Sequence, residues 1–497
     1  MMKSSDDWHS DGRQFQIEGK TEQATYAYRK ALKLEGERLD SINNLAVLKR
    51  KEGLAGEADK LLLKGLQLAS MKWMECNDSQ TKERIAVNWS RLLNSSSVHE
   101  LQKKQYKRCL ALTHQQLLLE PEGCGYVNLG VVLECMGSHS KAARSHLLGL
   151  RRHNLEWRKP EELIGKSLLN PSESSQLHLE LSNLATSRLH GEPLKLEHWK
   201  LLLSRLGVTQ KIWAEKELPW QRLWSGEACK DLLVWDEQGY GDALQCLRWI
   251  DKCACRTQQL TLMLRPELIE LIKNRLTLSN NCNIVHLPSS GPPLTKHAWH
   301  CPLMGLPVAL ASGQSQIPTP RAPKGKWLQS VYKPKRKKTI GIVWAAGRKD
   351  TEDAKRASER RSMTAETLLA HAVRWKLKWG TRLISLQLDA GNTMIAEMAA
   401  KNSIQQLKKG GDWESTAQVV EQLDLVVSVD TAMVHLAGNL GVPCLLLLNR
   451  VHDWRWGTEE APQEWYPRQA TLRCKKDNDW ERVLEEAESW VKTLLNE

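Results

Sequence analysis

Near the start of the chain Glu18-Gly19 recurs as Glu52-Gly53, a shift of 34 residues. With the glycines aligned, Gly12, Ala24 and Ala31 fall in register with Ala46, Ala58 and Gly65. A third copy, aligned on Gly137, brings Gly130, Ala142 and Gly149 to the same places, and Asn44-Leu45-Ala46 matches Asn128-Leu129-Gly130. Self-similarity at a fixed period of this length argues against one closed core for this part of the chain, because each unit buries its apolar face only by stacking on its neighbours. The step from Gly53 to Gly137 is 84 residues, not a multiple of 34, so Ser70 to Tyr106 is an insertion or a degenerate repeat.

The period and its small residues resemble the tetratricopeptide repeat, a pair of antiparallel helices. The resemblance implies an all-α domain over residues 1–153 that either presents a concave groove to a protein or peptide or serves a structural or dimerising role. Residues 154–224 read as a mixed helical linker, broken at Asn170-Pro171-Ser172 and Gly191-Glu192-Pro193.

The remainder of the 497 residues leaves room for further domains, at ~150 residues each. Hydrophobic residues at 41% and charged residues at 26% exclude collagen-like, wholly disordered and membrane-embedded classes. Of the net charge of +13, eight cations lie between Arg321 and Lys338 with no acid among them, leaving +5 for the rest. A basic run with no aromatic platform reads as a solvated interdomain linker rather than a nucleic-acid site. Twelve cysteines without a C-x-x-C pair, Cys253-Ala254-Cys255 being the closest, read as buried free thiols. The segment Met1 to Phe15 is polar and no apolar run reaches ~18 residues, so a cytoplasmic protein with no membrane span is expected.

From Trp224 onward the pattern becomes strand, loop, helix. Asp231 to Trp235 is an apolar run of strand length, Asp236 to Asp242 a glycine-bearing turn, and Ala243 to Cys255 has helical spacing; Thr261 to Leu264 and Pro266 to Arg275 repeat the order. This half is placed at 225–320 and a second at 339–497, joined by the basic segment 321–338. In the second half the strands are Thr339 to Trp344, Leu383 to Leu386, Leu425 to Val429 and Cys444 to Leu448, with Gly441-Val442-Pro443 closing the helix between the last two. Two doubly wound α/β halves imply a cleft where the carboxyl ends of their strands meet.

Val234-Trp-Asp-Glu-Gln-Gly-Tyr-Gly-Asp-Ala-Leu-Gln245, Cys301-Pro-Leu-Met-Gly-Leu-Pro307, Ile340-Gly-Ile-Val-Trp-Ala345, Ser385-Leu-Gln387 and Val429-Asp-Thr-Ala-Met-Val-His-Leu-Ala-Gly438 follow one another in order, then Asp453-Trp-Arg-Trp456 and Trp465-Tyr-Pro467. Together they resemble the bacterial tetratricopeptide glycosyltransferases, related to the lipopolysaccharide heptosyltransferases of glycosyltransferase family 9 and more distantly to the O-GlcNAc transferases. The resemblance implies an α/β GT-B fold, two Rossmann-like domains preceded by the repeats, with acceptor on the N-terminal side and nucleotide-sugar donor on the C-terminal side. It implies a hexosyl- or heptosyl-type transferase that inverts the anomeric centre and needs neither metal nor cofactor beyond the donor. The acceptor would be a protein or glycan, with the repeat groove as a place to hold it. The alternative is a tetratricopeptide scaffold whose GT-B domain is inactive.

Candidate site residues follow. Thr431 and Ala432 stand where a strand hands over to a helix, so unpaired N–H groups and the positive end of the helix dipole suit a diphosphate. The Thr431 hydroxyl is a further donor, Asp430 is expected to cap the helix, and His435 one turn on faces the same side. A capped helix with a core-facing histidine explains the same residues without a ligand. Asp242, early in the first helix of the acceptor half, is by resemblance the catalytic base, or else a cap. The loop from Gly347 to Ser362 departs from its relatives, leaving Lys349 and Arg361 as the candidate cations for the diphosphate. Gln387, Asp412, Trp413 and Thr416 match family positions near the nucleoside, where Trp413 either stacks on the base or packs.

Overall fold

The computed structural model describes residues 3–121, 124–150, 171–208, 222–289, 291–292, 296–319, 328, 338–347, 352–387, 397, 400–407 and 412–496. The chain divides into two compact units, Met1–Arg158 and Lys159–Glu497.

The first unit contains eight helices among its described residues: α1 Ser5–Ile17, α2 Thr21–Leu34, α3 Leu39–Lys51, α4 Ala55–Glu75, α5 Ser79–Gln102, α6 Tyr106–Leu119, α7 Gly125–Cys135 and α8 His139–Gly149. They pair as four hairpins with tight turns. Gly19, Gly53 and Gly137 sit in those turns with φ of 74°, 81° and 74°, the left-handed region that glycine enters without steric cost. The small residues Ala24, Ala31, Ala46, Ala58 and Ala142 are all buried between helices. The break in the period is a degenerate repeat combined with elongation. The turn from α5 to α6 places Lys104 at φ 60°, 33 residues before Gly137, so a lysine holds the position glycine takes elsewhere. The surplus length is taken up by α4 and α5, of 21 and 24 residues.

The second unit carries two all-parallel sheets. The first contains β1 Cys229–Trp235, β2 Thr257–Leu264, β3 Cys282–His286 and β4 Trp299–Pro302, in the order β3-β2-β1-β4. The second contains β5 Thr339–Val343, β6 Arg382–Ser385, β7 Gln405–Gln406, β8 Leu425–Val429, β9 Cys444–Leu448 and β10 Gln469–Arg473, in the order β10-β9-β8-β5-β6-β7. Every residue of β5, β8 and β9 is buried, as strands covered by helices on both faces must be. The structure adds β3, β4, β7 and β10 to the strands expected.

Part of the stretch read as a linker is packed structure. Leu196 N–H donates to the Ser315 carbonyl and Ile317 N–H to that of Leu194, tying the helix Leu196–Leu202 to the first half of the second unit. Of the basic segment 321–338, only residues 328 and 338 are described. The cysteines are free thiols as expected, but Cys255 is exposed and Cys76, Cys124, Cys229 and Cys282 are only partly buried. No helix among the described residues is long and apolar enough to cross a membrane.

The two halves meet through polar contacts as well as packing. Asn439 Nδ2 donates to the Leu244 carbonyl at 2.8 Å and an Arg248 terminal nitrogen to the Trp465 carbonyl at 2.8 Å. The fully buried Arg275 guanidinium, from the helix Pro266–Arg275, reaches Glu414 at 2.6 Å and Glu421 at 2.9 Å across the boundary.

Candidate functional site

A cleft of about 460 Å³ opens between the carboxyl ends of the two sheets. Its floor and walls come from the segments that follow β1, β2, β5, β6, β7, β8 and β9, which is where open parallel sheets bind ligands.

On the first-sheet side, the turn after β1 leads into the helix Tyr240–Cys246, and Asp242 is the third residue of that helix. Its Oδ2 accepts the Gly239 N–H at 2.7 Å, so it does cap. Its Oδ1 accepts from Arg455, which belongs to the other half. Gly241 lets the two helix starts approach closely: a Cβ there would lie 3.0 Å from the His435 ring, a tight contact, and 3.5 Å from the Ala432 Cα.

On the other side, β8 ends at Val429 and the helix Ala432–Leu440 begins. The expectation that Asp430 caps this helix is wrong; Thr431 does so, its Oγ1 accepting the Met433 N–H at 3.3 Å. The Ser428 hydroxyl gives its one hydrogen to the Val429 carbonyl at 2.6 Å, so the 3.1 Å contact between the Ser428 and Thr431 hydroxyls runs from Thr431 to Ser428. The Thr431 hydrogen is therefore committed within the turn, against the expectation of a donor free for a ligand. Ala432 opens the helix on the cleft, with no carbonyl four residues behind in helical position for its N–H. Asp430 is buried; burial pushes its carboxyl above the usual range, against the opposing pull of Arg361 at 3.8 Å.

His435 lines the cleft although it is almost wholly buried. Burial, reinforced by Arg455 and Arg248, holds its imidazole well below the usual value, so the ring is neutral at pH 7. It stacks on Trp456 with centroids 5.4 Å apart, and its Nδ1 lies 2.9 Å from the Tyr466 hydroxyl. Gly438 makes room for that tyrosine, since a Cβ there would lie 2.2 Å from its ring.

The remaining expected residues divide. Gln387 reaches the cleft, but its side-chain amide is doubly bonded to the backbone of Ala345, accepting its N–H and donating to its carbonyl at 3.1 Å each. With Ser362 accepting the Ala346 N–H at 3.0 Å, it shapes the turn after β5. Trp413 lines the cleft and lies 5.3 Å from the Tyr240 ring of the opposite half. Asp412 caps the helix Trp413–Val420 through the Ser415 N–H at 2.8 Å, and the Thr416 hydroxyl donates to the Asp412 carbonyl at 3.1 Å. Neither is among the cleft-lining residues. Arg361 does line the cleft, from the end of the helix Glu352–Arg361. Lys349 lies outside the described residues.

Arg455 and Asp453 escaped the sequence reading. The signal was present in Asp453-Trp-Arg-Trp456, but nothing local says that its arginine crosses the cleft. Burial works against both charges. Asp242 and Asp453 nevertheless raise the pKa of Arg455, and Arg455 in turn holds the Asp453 carboxyl at about 2. Arg265, bonded to both oxygens of Asp236 at 2.6 and 2.9 Å, lies 4.2 Å from the Tyr240 ring and completes that wall.

No protein-family model matches the chain, and no curated protein does. Among solved structures it is similar to a glycosyl transferase family 9 protein of Veillonella parvula, at 10% identity and a TM-score of 0.38, over 56% of this chain and 99% of that one. It is also similar to the E. coli heptosyltransferase WaaC, whose structure contains ADP-2-deoxy-2-fluoro heptose, at 11% identity and a TM-score of 0.36, over 53% and 99%. MamA matches at 16% identity and a TM-score of 0.25, over 43% and 97%. Scores this low leave the chemistry to be read from the residues themselves.

Proposed function

We propose that the second unit is a nucleotide-sugar-dependent glycosyltransferase acting on a hydroxyl acceptor, protein or glycan, by a single inverting displacement without a metal. One observation carries the reading: across one cleft, a carboxylate of the first half faces the start of a nine-residue helix of the second. That pairing sets a proton acceptor opposite a site for a departing anion, the two groups such a displacement requires.

In this reading the donor diphosphate sits at the N-terminal end of the helix Ala432–Leu440, met by backbone N–H groups and the helix dipole. Thr431 and Asp430 shape that turn rather than bind through their side chains. His435 is neutral, and a Tyr466 hydroxyl donating to its Nδ1 leaves the ring proton on Nε2, a donor for the diphosphate. Arg361, with Lys349, supplies positive charge. The nucleoside lies against Trp413, with Gln387, Asp412 and Thr416 holding the backbone around it. Asp242 takes the acceptor proton as the acceptor oxygen attacks the anomeric carbon and the bond to the diphosphate breaks, its electron pair leaving with the phosphate oxygen. The first unit positions the acceptor.

The second reading, a scaffold with an inactive domain, draws on the ion pair between Asp242 and Arg455, which occupies the proposed base. A panel of UDP-, GDP- and ADP-sugars separates the two. A transferase is stabilised by one donor, since a ligand that binds only the folded state raises its melting midpoint, and it releases nucleoside diphosphate from that donor. Neither stabilisation nor turnover with any donor leaves the scaffold.

A further inference from the structure

Arg455 is fixed on three edges and one face. Its Nε donates to Gln245 Oε1 at 3.0 Å, one terminal nitrogen to Asp453 Oδ1 at 2.9 Å and the other to Asp242 Oδ1, while the guanidinium lies 4.4 Å from the Trp454 ring centroid. Two of those partners, Gln245 and Asp242, belong to the helix Tyr240–Cys246 of the opposite half. Asp242 is held at both oxygens in consequence, Oδ1 by Arg455 and Oδ2 by the Gly239 N–H. A carboxylate accepts about four hydrogen bonds, so each oxygen keeps a lone pair while rotation of the group is blocked. The guanidinium is also outnumbered, one cation against two carboxylates, which leaves it little net attraction for a diphosphate.

We propose that Arg455 is a positioning residue for the transfer step, acting through Asp242 and not on the donor. It holds the carboxylate plane at the orientation in which a free lone pair meets the acceptor hydroxyl, and it does so from the donor half, so the geometry is complete only when the two halves are docked. The inference rests on Asp242 being the base that receives the acceptor proton.

The test is a kinetic cycle on the full chain. Wild type, Arg455→Met, Asp242→Asn and the double variant are compared for nucleoside-diphosphate release with whichever nucleotide sugar the wild type turns over. Donor affinity is measured in parallel. A carboxylate freed to rotate loses about 100-fold in rate, the scale of a small misplacement of a reacting group. Arg455→Met is therefore expected to be about 100-fold slower with donor affinity unchanged, and the double variant no slower than Asp242→Asn alone. Methylguanidinium added to Arg455→Ala is expected to restore part of the rate, and to restore none when Asp242 is also Asn.

An additive loss in the double variant, a donor affinity that falls in step with the rate, or rescue in the Asn background overturns the inference. If the Met and Ala variants fail to fold, Arg455→Lys is read instead, since it keeps the charge and loses the fork. It is expected to be at least tenfold slower at unchanged donor affinity, and a wild-type rate overturns the inference. A wild type that turns over no donor overturns the transferase reading and the inference together, whereas a working wild type with additive losses overturns the inference alone.

Discussion

Replacing Arg275 with methionine strands two carboxylates between the halves of the second unit. The Arg275 side chain has no exposed surface, nor has that of Glu421, and Glu414 is 9% exposed. Its Nε and a second nitrogen bind Glu414 at 2.6 and 2.9 Å, and further contacts at 2.9 and 3.2 Å bind Glu421. Burial works against the guanidinium charge, yet the two glutamates raise its pKa, so the guanidinium is held as a cation. Removing one member of a buried ion pair costs about 3–5 kcal/mol, because the remaining charge loses its counterion without regaining water. Here two negative charges are left facing one another, so Arg275→Met is expected to cost at least about 3 kcal/mol. Replacing the whole triad with apolar residues, Arg275→Met with Glu414→Leu and Glu421→Leu, removes the stranded charges and is expected to recover most of the loss. Urea unfolding of the whole chain followed by tryptophan fluorescence is suitable, since Trp413 directly precedes Glu414. An Arg275→Met variant within about 1 kcal/mol of wild type, or a triple variant no more stable than the single, would refute the reasoning, because stranded charge would then not be the source of the cost.

Asp242→Asn keeps an oxygen that can accept the Gly239 N–H, so folding is expected to survive while transfer slows by about 100- to 10,000-fold, the usual contribution of a general base; steady-state rates at saturating donor decide it, and a wild-type rate removes Asp242 from the chemistry. Thr431→Val deletes the acceptor of the Met433 N–H and is expected to cost about 1 kcal/mol of stability, with Thr431→Ser near wild type. Equal denaturation midpoints for Val and wild type would count against the capping role. The Asp453 carboxyl is depressed to about 2 from its ordinary 3.8, so its contribution is complete above pH 4 and disappears as pH falls toward 2. The difference corresponds to about 2 kcal/mol, and Asp453→Asn should flatten the acid limb of the stability curve by about that amount.

Features that depend on a few consecutive residues were legible from sequence. Gly19, Gly53 and Gly137 mark helix turns because the left-handed backbone is strained for other residues, and the buried strands β5, β8 and β9 are short, charge-free and mostly apolar runs. The turn at Lys104 was not legible, because a lysine there is strained and only the surrounding hairpin holds it in place. The first sheet's edge strands were missed for a similar reason. β3 has no buried residue, Asn283 and His286 being exposed and the other three partly so, while β4 is four residues ending in proline.

The sequence by itself determined the period of the helical array, the inner strands β1, β2, β5, β6, β8 and β9, and the presence of a strand-to-helix turn at Thr431. Tertiary structure decided which polar groups meet. Arg455 and Asp242 are 213 residues apart, and Arg275 and Glu421 are 146 apart. Nothing near any of the four in the chain names its partner. Local structure follows from dihedral preference and the period of burial, which short windows record. A charge buried at the boundary of two sheets finds its counterion only after each sheet has formed and the halves have docked.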